Sequence, residues 1–364
     1  MSNYVMYGAE ISYFSGKARS YLRWKDIQFE ARQAGPEFYS EICIPTVGYP
    51  VIPVVVAPNG DLIQDTTLII EHFEKDKALE PSFTPEGSVQ NLVSHLIELF
   101  ADDWLLIPAM HYRWVHDART TLLEFGMNNA PGASEEKQRA VGEERSAMFR
   151  GFVGMLGAVP HMKETIEAEW IAVLKELEVH FRAHPYLLGE RPCIGDFALV
   201  GALYAHMYRD ATAGTLMRNE ALSVARYVER MMWPSGEAIG EYLDGDTVPE
   251  TLAPILKRMM REEIPCLVDV AKQLANWKEA YPGEPLPRVI GKHKFTHGGK
   301  TAERVMMPYP LWMLDRAKGI HDKMSPDVRA RATALLLECE GRHFIELKIP
   351  APVKLEDYKI QWAC

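Results

Sequence analysis

The sequence has no long hydrophobic run. No apolar stretch reaches the roughly eighteen residues that a membrane-spanning helix needs, so no membrane span is expected. The first residues also lack a basic segment followed by an apolar one, so no signal peptide is expected. Both absences favour a soluble protein of the cytoplasm.

Cysteine is scarce and scattered along the chain. The five residues form no Cys-x-x-Cys pair and are odd in number: Cys43, Cys193, Cys266, Cys339 and Cys364. This pattern predicts free thiols in a reducing compartment and excludes a disulfide framework. The twelve histidines show no metal-binding spacing. His293 and His297 precede two glycines, which predicts surface histidines in a loop, and no metal is expected.

Positive charge is also in deficit. With 40 basic and 50 acidic residues, the formal net charge is −10. That balance argues against nucleic acid or an anionic membrane as the main partner. The remaining composition is ordinary, with 47% hydrophobic residues among 364. A chain of this length builds about two or three domains.

The most informative stretch runs from Tyr4 to Phe73. It begins with a short apolar segment, a polar turn and a helical pattern. A proline-started apolar strand follows around Pro53, then a turn at Pro58 to Asp61, a further strand and a helix start near Asp65. The order β-α-β-β-α predicts a small mixed sheet with helices against it.

Three dipeptides in this stretch carry a family resemblance. They are Ser12-Tyr13, Ile52-Pro53 and Asp65-Thr66, in that order. The stretch resembles the thioredoxin-like N-terminal domain of glutathione S-transferases. A second resemblance covers Tyr186 to Leu199, where Asp196 occupies the acidic position of a capping box and Cys193 replaces the usual Ser or Thr. In that family Asp196 would be structural.

The resemblance implies an α/β thioredoxin-like domain followed by an all-α domain. It places a glutathione-binding domain at residues 1–80 and the helical domain at residues 88–234, after a linker from Lys75 to Gly87. Residues 235–364 extend beyond the family pattern and are predicted to be mainly helical. Within this extension we expect interruptions at Pro254 and Pro265 and a loop from Ile290 to Thr301.

The resemblance also implies where the sulfur of glutathione would bind. Comparison with Cys-Pro-Tyr-Cys redox relatives favours the Ser12 hydroxyl, whereas comparison with tyrosine-type transferases favours Tyr13; Ser15 is a third candidate. The alternative is that Ser12 only caps the helix and Tyr13 only packs. Loss of both redox cysteines argues against a reductase.

The peptide part of glutathione would contact two further motifs. By resemblance, Ile52 pairs with the cysteinyl backbone, Pro53 is cis, and Asp65 with Thr66 binds the glutamyl end. Family members often carry a lysine where this chain has Val51. A cation for the glycyl carboxylate would therefore come from elsewhere, with Lys17, Arg19 and Arg32 as candidates.

Of the site that the resemblance implies, the pocket for the electrophile is the part that the sequence defines least. In the family, the helix after the linker lines both this pocket and the dimer interface, which makes Trp104, His111, Tyr112 and Trp114 candidates. Each is equally compatible with packing. The resemblance implies a homodimeric cytoplasmic enzyme that directs the glutathione thiolate at a small apolar substrate. The alternative is a non-catalytic glutathione-binding or scaffold protein with the same fold.

Overall fold

A computed structural model describes residues 4–234, 236 and 239–363. Cys364 and the start of the predicted extension at residue 235 lie outside this range. The chain divides into two compact units of three segments each. Unit 1 comprises Met1–Ser82, Ile107–Gly154 and Phe197–Glu237; unit 2 comprises Phe83–Leu106, Met155–Asp196 and Ala238–Cys364. The division into domains at 1–80, 88–234 and 235–364 stays a prediction. No helix in the described ranges is long and apolar enough to cross a bilayer.

Unit 1 contains a four-stranded mixed sheet. Its strands are β1 (Tyr4–Gly8), β2 (Phe29–Gln33), β3 (Val54–Val56) and β4 (Leu62–Gln64). They lie in the order β2-β1-β3-β4, with β1 parallel to β2 and antiparallel to β3. The sequence-based prediction missed β2. Most of its residues are exposed, so it lacks the apolar alternation that marks a half-buried strand.

Three helices accompany this sheet: α1 (Tyr13–Trp24), α2 (Ile44–Val47) and α3 (Thr66–Glu74). Together with the strand order they confirm the predicted thioredoxin-like N-terminal domain. Helix α1 is tied to other parts of unit 1 by side-chain donors to backbone carbonyls. The Ser20 hydroxyl and the Trp24 indole N–H both donate to the carbonyl of Met231, at 2.8 and 2.9 Å.

The middle of the chain is helical, as predicted. Residues 75 to 87 form neither helix nor strand, and their role as a linker between domains stays a prediction. The helices that follow are α4 (Ser88–Leu99), α5 (Leu106–His111), α6 (Ala118–Asn129), α7 (Glu135–Met155), α8 (Lys163–Ala183), α9 (Ile194–Leu203), α10 (Ala211–Glu220) and α11 (Leu222–Met232). Wide π-type turns extend three of them at Phe100–Trp104, Tyr112–His116 and Tyr204–Tyr208.

The acidic position entering α9 has the predicted capping role. Asp196 is fully buried and accepts from the backbone N–H of Cys193 at 2.8 Å. It also accepts from the N–H of Leu187 at 3.1 Å. The carboxylate therefore holds the loop before the helix even though Cys193 has replaced the usual hydroxyl. The four cysteines in the described ranges are free thiols, as predicted.

The extension is mainly helical but departs from the prediction in three respects. Its elements are α12 (Ala253–Ala280), β5 (Gly291–His297), β6 (Lys300–Met306), α13 (Pro308–Lys323), α14 (Pro326–Glu338), α15 (Arg342–Ile345), β7 (Val353–Glu356) and β8 (Lys359–Trp362). Pro254 is at the start of α12, where a proline fits, but Pro265 lies inside the helix and does not end it. The predicted interruption at Pro265 is therefore wrong. Its flanks, Ile264 and Cys266, are buried, so packing outweighs the roughly 3 kcal/mol that an interior proline costs.

The predicted loop at residues 290–301 is also wrong. Strands β5 and β6 form an antiparallel hairpin whose turn contains Gly298 and Gly299, both at positive φ. The glycines that suggested a loop mark only the turn. His293 and His297 are buried on one face of β5, with 8% and 4% exposure, so the prediction of surface histidines is wrong as well.

Candidate functional site

Ser12 stands at the N-terminus of α1. Its backbone is extended, and its hydroxyl oxygen accepts from the backbone N–H of Ser15 at 3.3 Å. The side chain is half-buried. An N-cap residue of this kind satisfies one of the unpaired N–H groups in the first helical turn, and the same helix end favours a negative charge beside it.

The other two hydroxyl candidates are more deeply enclosed. Tyr13 is 4% exposed, and its ring packs against Phe14 and His206 at centroid distances of 5.1 and 5.4 Å. Burial, reinforced by the nearby Arg113, lowers the pKa of His206, so Tyr13 faces a neutral imidazole. Ser15 is fully buried and its hydroxyl oxygen accepts from the N–H of Ala9 at 3.3 Å. Among the three residues, Ser12 is the least buried.

The loop before Ser12 is held by a buried arginine that the sequence did not single out. Arg113 donates to the carbonyl of Ile11 at 2.6 Å and to that of Ala205 at 2.6 Å. It also forms a two-point ion pair with Asp210, at 2.7 and 2.9 Å. Because Ile11 is adjacent to Ser12, this guanidinium fixes the backbone from which the Ser12 side chain projects.

The start of α3 also lies in unit 1. Asp65 caps the helix at φ 81° and accepts from the N–H of Thr67 at 2.8 Å. Thr66 is buried. The Thr67 hydroxyl accepts from the Lys17 ammonium at 3.3 Å, so α1 and α3 are joined by a fully buried lysine. The peptide bond between Ile52 and Pro53 is cis, as predicted.

The three cations considered for the glycyl carboxylate have different surroundings. Lys17 is fully buried beside Thr67. Arg19 is 4% exposed and forms an ion pair with Glu10 at 3.0 Å, and burial lowers its pKa. Arg32 is exposed and forms a two-point hydrogen bond with Glu30. Each therefore already has an acceptor within the protein.

The four aromatic candidates do not fall in one unit. His111, Tyr112 and Trp114 belong to unit 1, whereas Trp104 belongs to unit 2. His111 and Tyr112 are buried, and Trp114 is half-buried with its ring 5.8 Å from that of Phe125. Trp104 is 1% exposed.

A surface pocket of about 520 Å³ is found at the opposite end of α1. It is lined by residues at and after the helix C-terminus and by two residues that follow α11: Arg23, Asp26, Ile27, Gln28, Phe29, Trp233 and Pro234. A helix of twelve residues spans about 18 Å. A molecule in this pocket would therefore not reach the Ser12 hydroxyl.

Comparison with solved structures gives distant similarities. A glutathione S-transferase from Rhodospirillum rubrum F11 shares 17% identity, with a TM-score of 0.41, over 68% of this chain and 96% of its own. The beta-etherase LigF from Sphingobium sp. strain SYK-6 shares 14% identity, with a TM-score of 0.47, over 63% and 95%. A Tau class glutathione S-transferase from mango, Mangifera indica, shares 18%, with a TM-score of 0.38, over 68% and 94%. Such values do not indicate a shared activity. Comparison with curated proteins gives no match.

A family model gives a firmer match in the region of the candidate site. Residues 6–81 match the model described as the N-terminal domain of glutathione S-transferases. This range includes Ser12, the cis-proline and the start of α3, and it has the strand order described above. Residues 6–81 are therefore similar to the N-terminal domain of glutathione S-transferases, with the thioredoxin-like fold of that domain.

Proposed function

We propose that unit 1 binds glutathione and that the Ser12 hydroxyl stabilises its thiolate. The observation that carries this proposal is the position of Ser12, half-buried at the N-terminus of α1 in the domain that matches the family model. The bound thiolate would then attack an electrophilic centre of a small apolar substrate, by conjugation, ether cleavage, dehalogenation or isomerisation.

The energetics of a helix end suit this role. A free thiol has a pKa of about 8.5, and each unit of lowering requires about 1.4 kcal/mol of preference for the anion. A hydrogen bond to a charged sulfur supplies about 1.5–3 kcal/mol, and the helix terminus about 0.3–1 kcal/mol. Together they lower the thiol pKa by about one to three units, enough to make thiolate a major species at neutral pH.

Burial supports Ser12 over the other candidates as the donor. Tyr13 is covered by Phe14 and His206, and Ser15 already receives the N–H of Ala9. Ser12 accepts from one N–H through its oxygen, which leaves its own proton available for the sulfur. We therefore propose Ser12 as the thiolate-stabilising residue, with Tyr13 and Ser15 as packing and positioning residues.

The rest of the tripeptide would lie along the sheet and the start of α3. We propose that the Ile52 backbone pairs with the cysteinyl residue and that Pro53, which has no N–H, ends the pairing. The N–H groups at Thr66 would take the glutamyl carboxylate, and Asp65 the ammonium.

The second substrate would contact aromatic side chains. Trp114 is half-buried and is the least buried of the four candidates, so we propose it as the first contact for the electrophile. His111 and Tyr112 belong to the same unit, are buried and would shape the pocket from behind. Trp104 is buried in unit 2, and its part in substrate binding stays a prediction. A cytoplasmic homodimer, as the resemblance implies, completes the proposal.

A scaffold without catalysis is the second candidate. Val51 stands where relatives often carry a lysine, and Lys17, Arg19 and Arg32 already have acceptors. Both observations would weaken the binding of the glycyl carboxylate. The two candidates differ in one measurable property, because only the enzyme needs to ionise the thiol.

Binding to immobilised glutathione, followed by thiolate absorbance against pH, tests the proposal. Ser12→Asn is the informative variant, because asparagine caps a helix as well as serine but has no hydroxyl. We expect the wild type to lower the thiol pKa by at least about one unit and Ser12→Asn to lose most of that shift. Ser40→Ala, at an exposed serine, is the matched control and should change nothing.

Three other outcomes are informative. If Tyr13→Phe rather than Ser12→Asn removes the shift, the role belongs to Tyr13. Binding without any shift in thiol pKa would favour the scaffold. No retention of glutathione at all would overturn the proposed function.

A further inference from the structure

The face between α12 and the β5–β6 hairpin, within unit 2, is unusually polar. Successive turns of α12 present Glu262, Cys266 and Asp269 on one face. Alternate residues of β5 bring His293 and His297 to the buried side of the hairpin. Each imidazole meets a carboxylate: His293 Nδ1 lies 2.7 Å from Asp269, and His297 Nδ1 lies 3.0 Å from Glu262.

One of these imidazoles also contacts a thiol. His293 Nε2 lies 3.4 Å from Cys266 Sγ, a hydrogen-bonding distance for sulfur. Cys266, His293 and Asp269 therefore form a continuous chain of thiol, imidazole and carboxylate. The hydrogen bonds of the other three cysteines in the described ranges are to groups other than imidazole. Cys43 contacts carbonyls of Tyr49 and Val51, and Cys339 one of Ala253. Cys193 interacts with Ser94 and Asp196.

The burial of Cys266 determines the protonation state of its thiol. Burial raises the pKa of the Cys266 thiol to about 12, so the resting sulfur keeps its proton and donates it to Nε2. Nδ1 of His293 lies 2.7 Å from Asp269, which is 40% exposed at the side chain, so a proton on Nδ1 would be shared with this carboxylate and would leave Nε2 to accept from the thiol. This is the resting arrangement of a nucleophile with a general base, in which the base takes the proton as the nucleophile attacks.

Several buried polar atoms beside Cys266, His293 and Asp269 have no hydrogen-bond partner in the structure. Arg304, which pairs with His293 across the hairpin, forms an ion pair with Asp103 at 2.8 Å. The atoms without a partner belong to five side chains that are at least nine-tenths buried: Arg304 Nη1, Asp103 Oδ2, both Glu263 carboxyl oxygens, Trp104 Nε1 and His297 Nε2. Arg304, Asp103 and Glu263 also interact electrostatically with Cys266. Such a cluster can hold a small molecule that both donates and accepts hydrogen bonds.

We propose that Cys266 is a reactive thiol, activated by His293 and oriented by Asp269, and that it takes a small hydroperoxide. The sulfur attacks the outer peroxide oxygen, an S–O bond forms and the O–O bond breaks. His293 accepts the thiol proton and passes it to the departing oxygen, so that Cys–SH and ROOH become Cys–SOH and ROH. The sulfur is oxidised and the peroxide is reduced.

Size and polarity select this class of reactant. Cys266 is 7% exposed, so a bulky disulfide or conjugate has no access to the sulfur. An apolar electrophile beside Arg304 and Asp103 would leave their buried donor and acceptor atoms without hydrogen bonds. Hydrogen peroxide is close to water in size and offers both donors and acceptors.

The experiment exposes the intact protein to hydrogen peroxide and traps sulfenic acid with dimedone, with each cysteine quantified by peptide mass spectrometry. Cys43, Cys193 and Cys339 are internal controls, because all are buried but lack an imidazole partner. We expect Cys266 to be labelled faster than these three by about a hundredfold, the usual range for general-base assistance.

Two variants distinguish activation of the Cys266 thiol by His293 from mere accessibility of the Cys266 sulfur to peroxide. His293→Gln should slow labelling at Cys266 to the rate of the controls, and its rate should rise with pH only as the thiol itself ionises. Asp269→Asn, at a partly exposed position, should give an intermediate rate and a shifted pH profile. Thermal unfolding verifies that each variant is folded; if His293→Gln does not fold, Asp269→Asn carries the test. Equal labelling of all four cysteines, or unchanged pH profiles in the folded variants, would overturn the proposal.

Discussion

Both units of the molecule contain a buried arginine–aspartate pair, and these two pairs are built differently. In unit 1 the Arg113 guanidinium donates to both oxygens of Asp210 and to the carbonyls of Ile11 and Ala205. In unit 2 Arg304 donates to one oxygen of Asp103, while Arg304 Nη1 and Asp103 Oδ2 have no partner in the structure. One pair is saturated and the other retains hydrogen-bonding capacity.

This difference separates a structural role from a chemical one. A buried ion pair offsets its desolvation only when the remaining donors and acceptors are satisfied. The Arg113 pair meets that condition and fixes the backbone before Ser12. The Arg304 pair does not, and it lies next to the only cysteine in the described ranges that contacts an imidazole. A buried ion pair whose donors and acceptors are all satisfied therefore indicates a structural role. A pair with unsatisfied donors and acceptors indicates a candidate site.

The largest expected effect is on Arg113. Arg113→Met leaves the Asp210 carboxylate buried and unpaired, so we expect a loss of about 3–5 kcal/mol in the free energy of unfolding. Urea denaturation followed by circular dichroism measures it. Arg139→Met, which removes an exposed pair with Glu135 in the same unit, is the control and should change stability by only about 0.5 kcal/mol. Comparable losses in the two variants would contradict the bracing role.

A buried histidine in unit 2 gives the next effect. His180 is fully buried, with Nδ1 2.7 Å from the Thr251 hydroxyl and Nε2 3.2 Å from the carbonyl of Tyr186. Burial, with a smaller contribution from His184, lowers the pKa of His180 from 6.5 to about 4. Between these pH values the unfolded chain binds a proton that the folded protein does not, so stability falls as the pH falls.

His180→Gln removes this proton uptake. We expect it to abolish up to about 3 kcal/mol of the stability difference between pH 7 and pH 4. Unfolding curves across that range provide the measurement. His161→Gln, at an exposed histidine, is the control and should retain the wild-type pH dependence. Parallel pH curves for His180→Gln and the wild type would show that His180 does not carry the effect.

How much of the structure the sequence revealed depends on how far apart along the chain two contacting residues lie. Ser12 caps α1 through a hydrogen bond to Ser15, and Asp65 caps α3 through Thr67. Contacts over two or three positions leave a local pattern, so the helix starts of the N-terminal domain were predictable from residues alone. The chemical roles of Ser12 and Tyr13 stay predictions, because they depend on a ligand.

Contacts over long separations leave no such pattern. The N-terminus of α4 is capped by Asp246, which accepts from the N–H groups of Val89 and Gln90. Arg113 and Asp210 likewise meet only in the folded chain. The inward orientation of His293 and His297 depends on α12 lying beneath β5, so their glycine neighbours suggested a loop. The strand alternation was present in the sequence, with His293, Phe295 and His297 separated by exposed residues, and was the signal that went unused.

The smallest expected effect on stability comes from replacing both partners of the Arg304 pair. This double replacement gives the most direct comparison between the two buried pairs. Replacing Arg304 and Asp103 together by Met and Leu eliminates two charges whose hydrogen bonds are incomplete, so we expect stability to change by about zero or to rise. The equivalent double replacement of Arg113 and Asp210 leaves two backbone carbonyls without their donor and should lose about 1–3 kcal/mol. Urea denaturation of both double variants measures the difference. Equal losses would mean that the hydrogen bonds of the Arg304 pair are complete in solution, for example through bound water. The pair would then have the same structural role as the Arg113 pair.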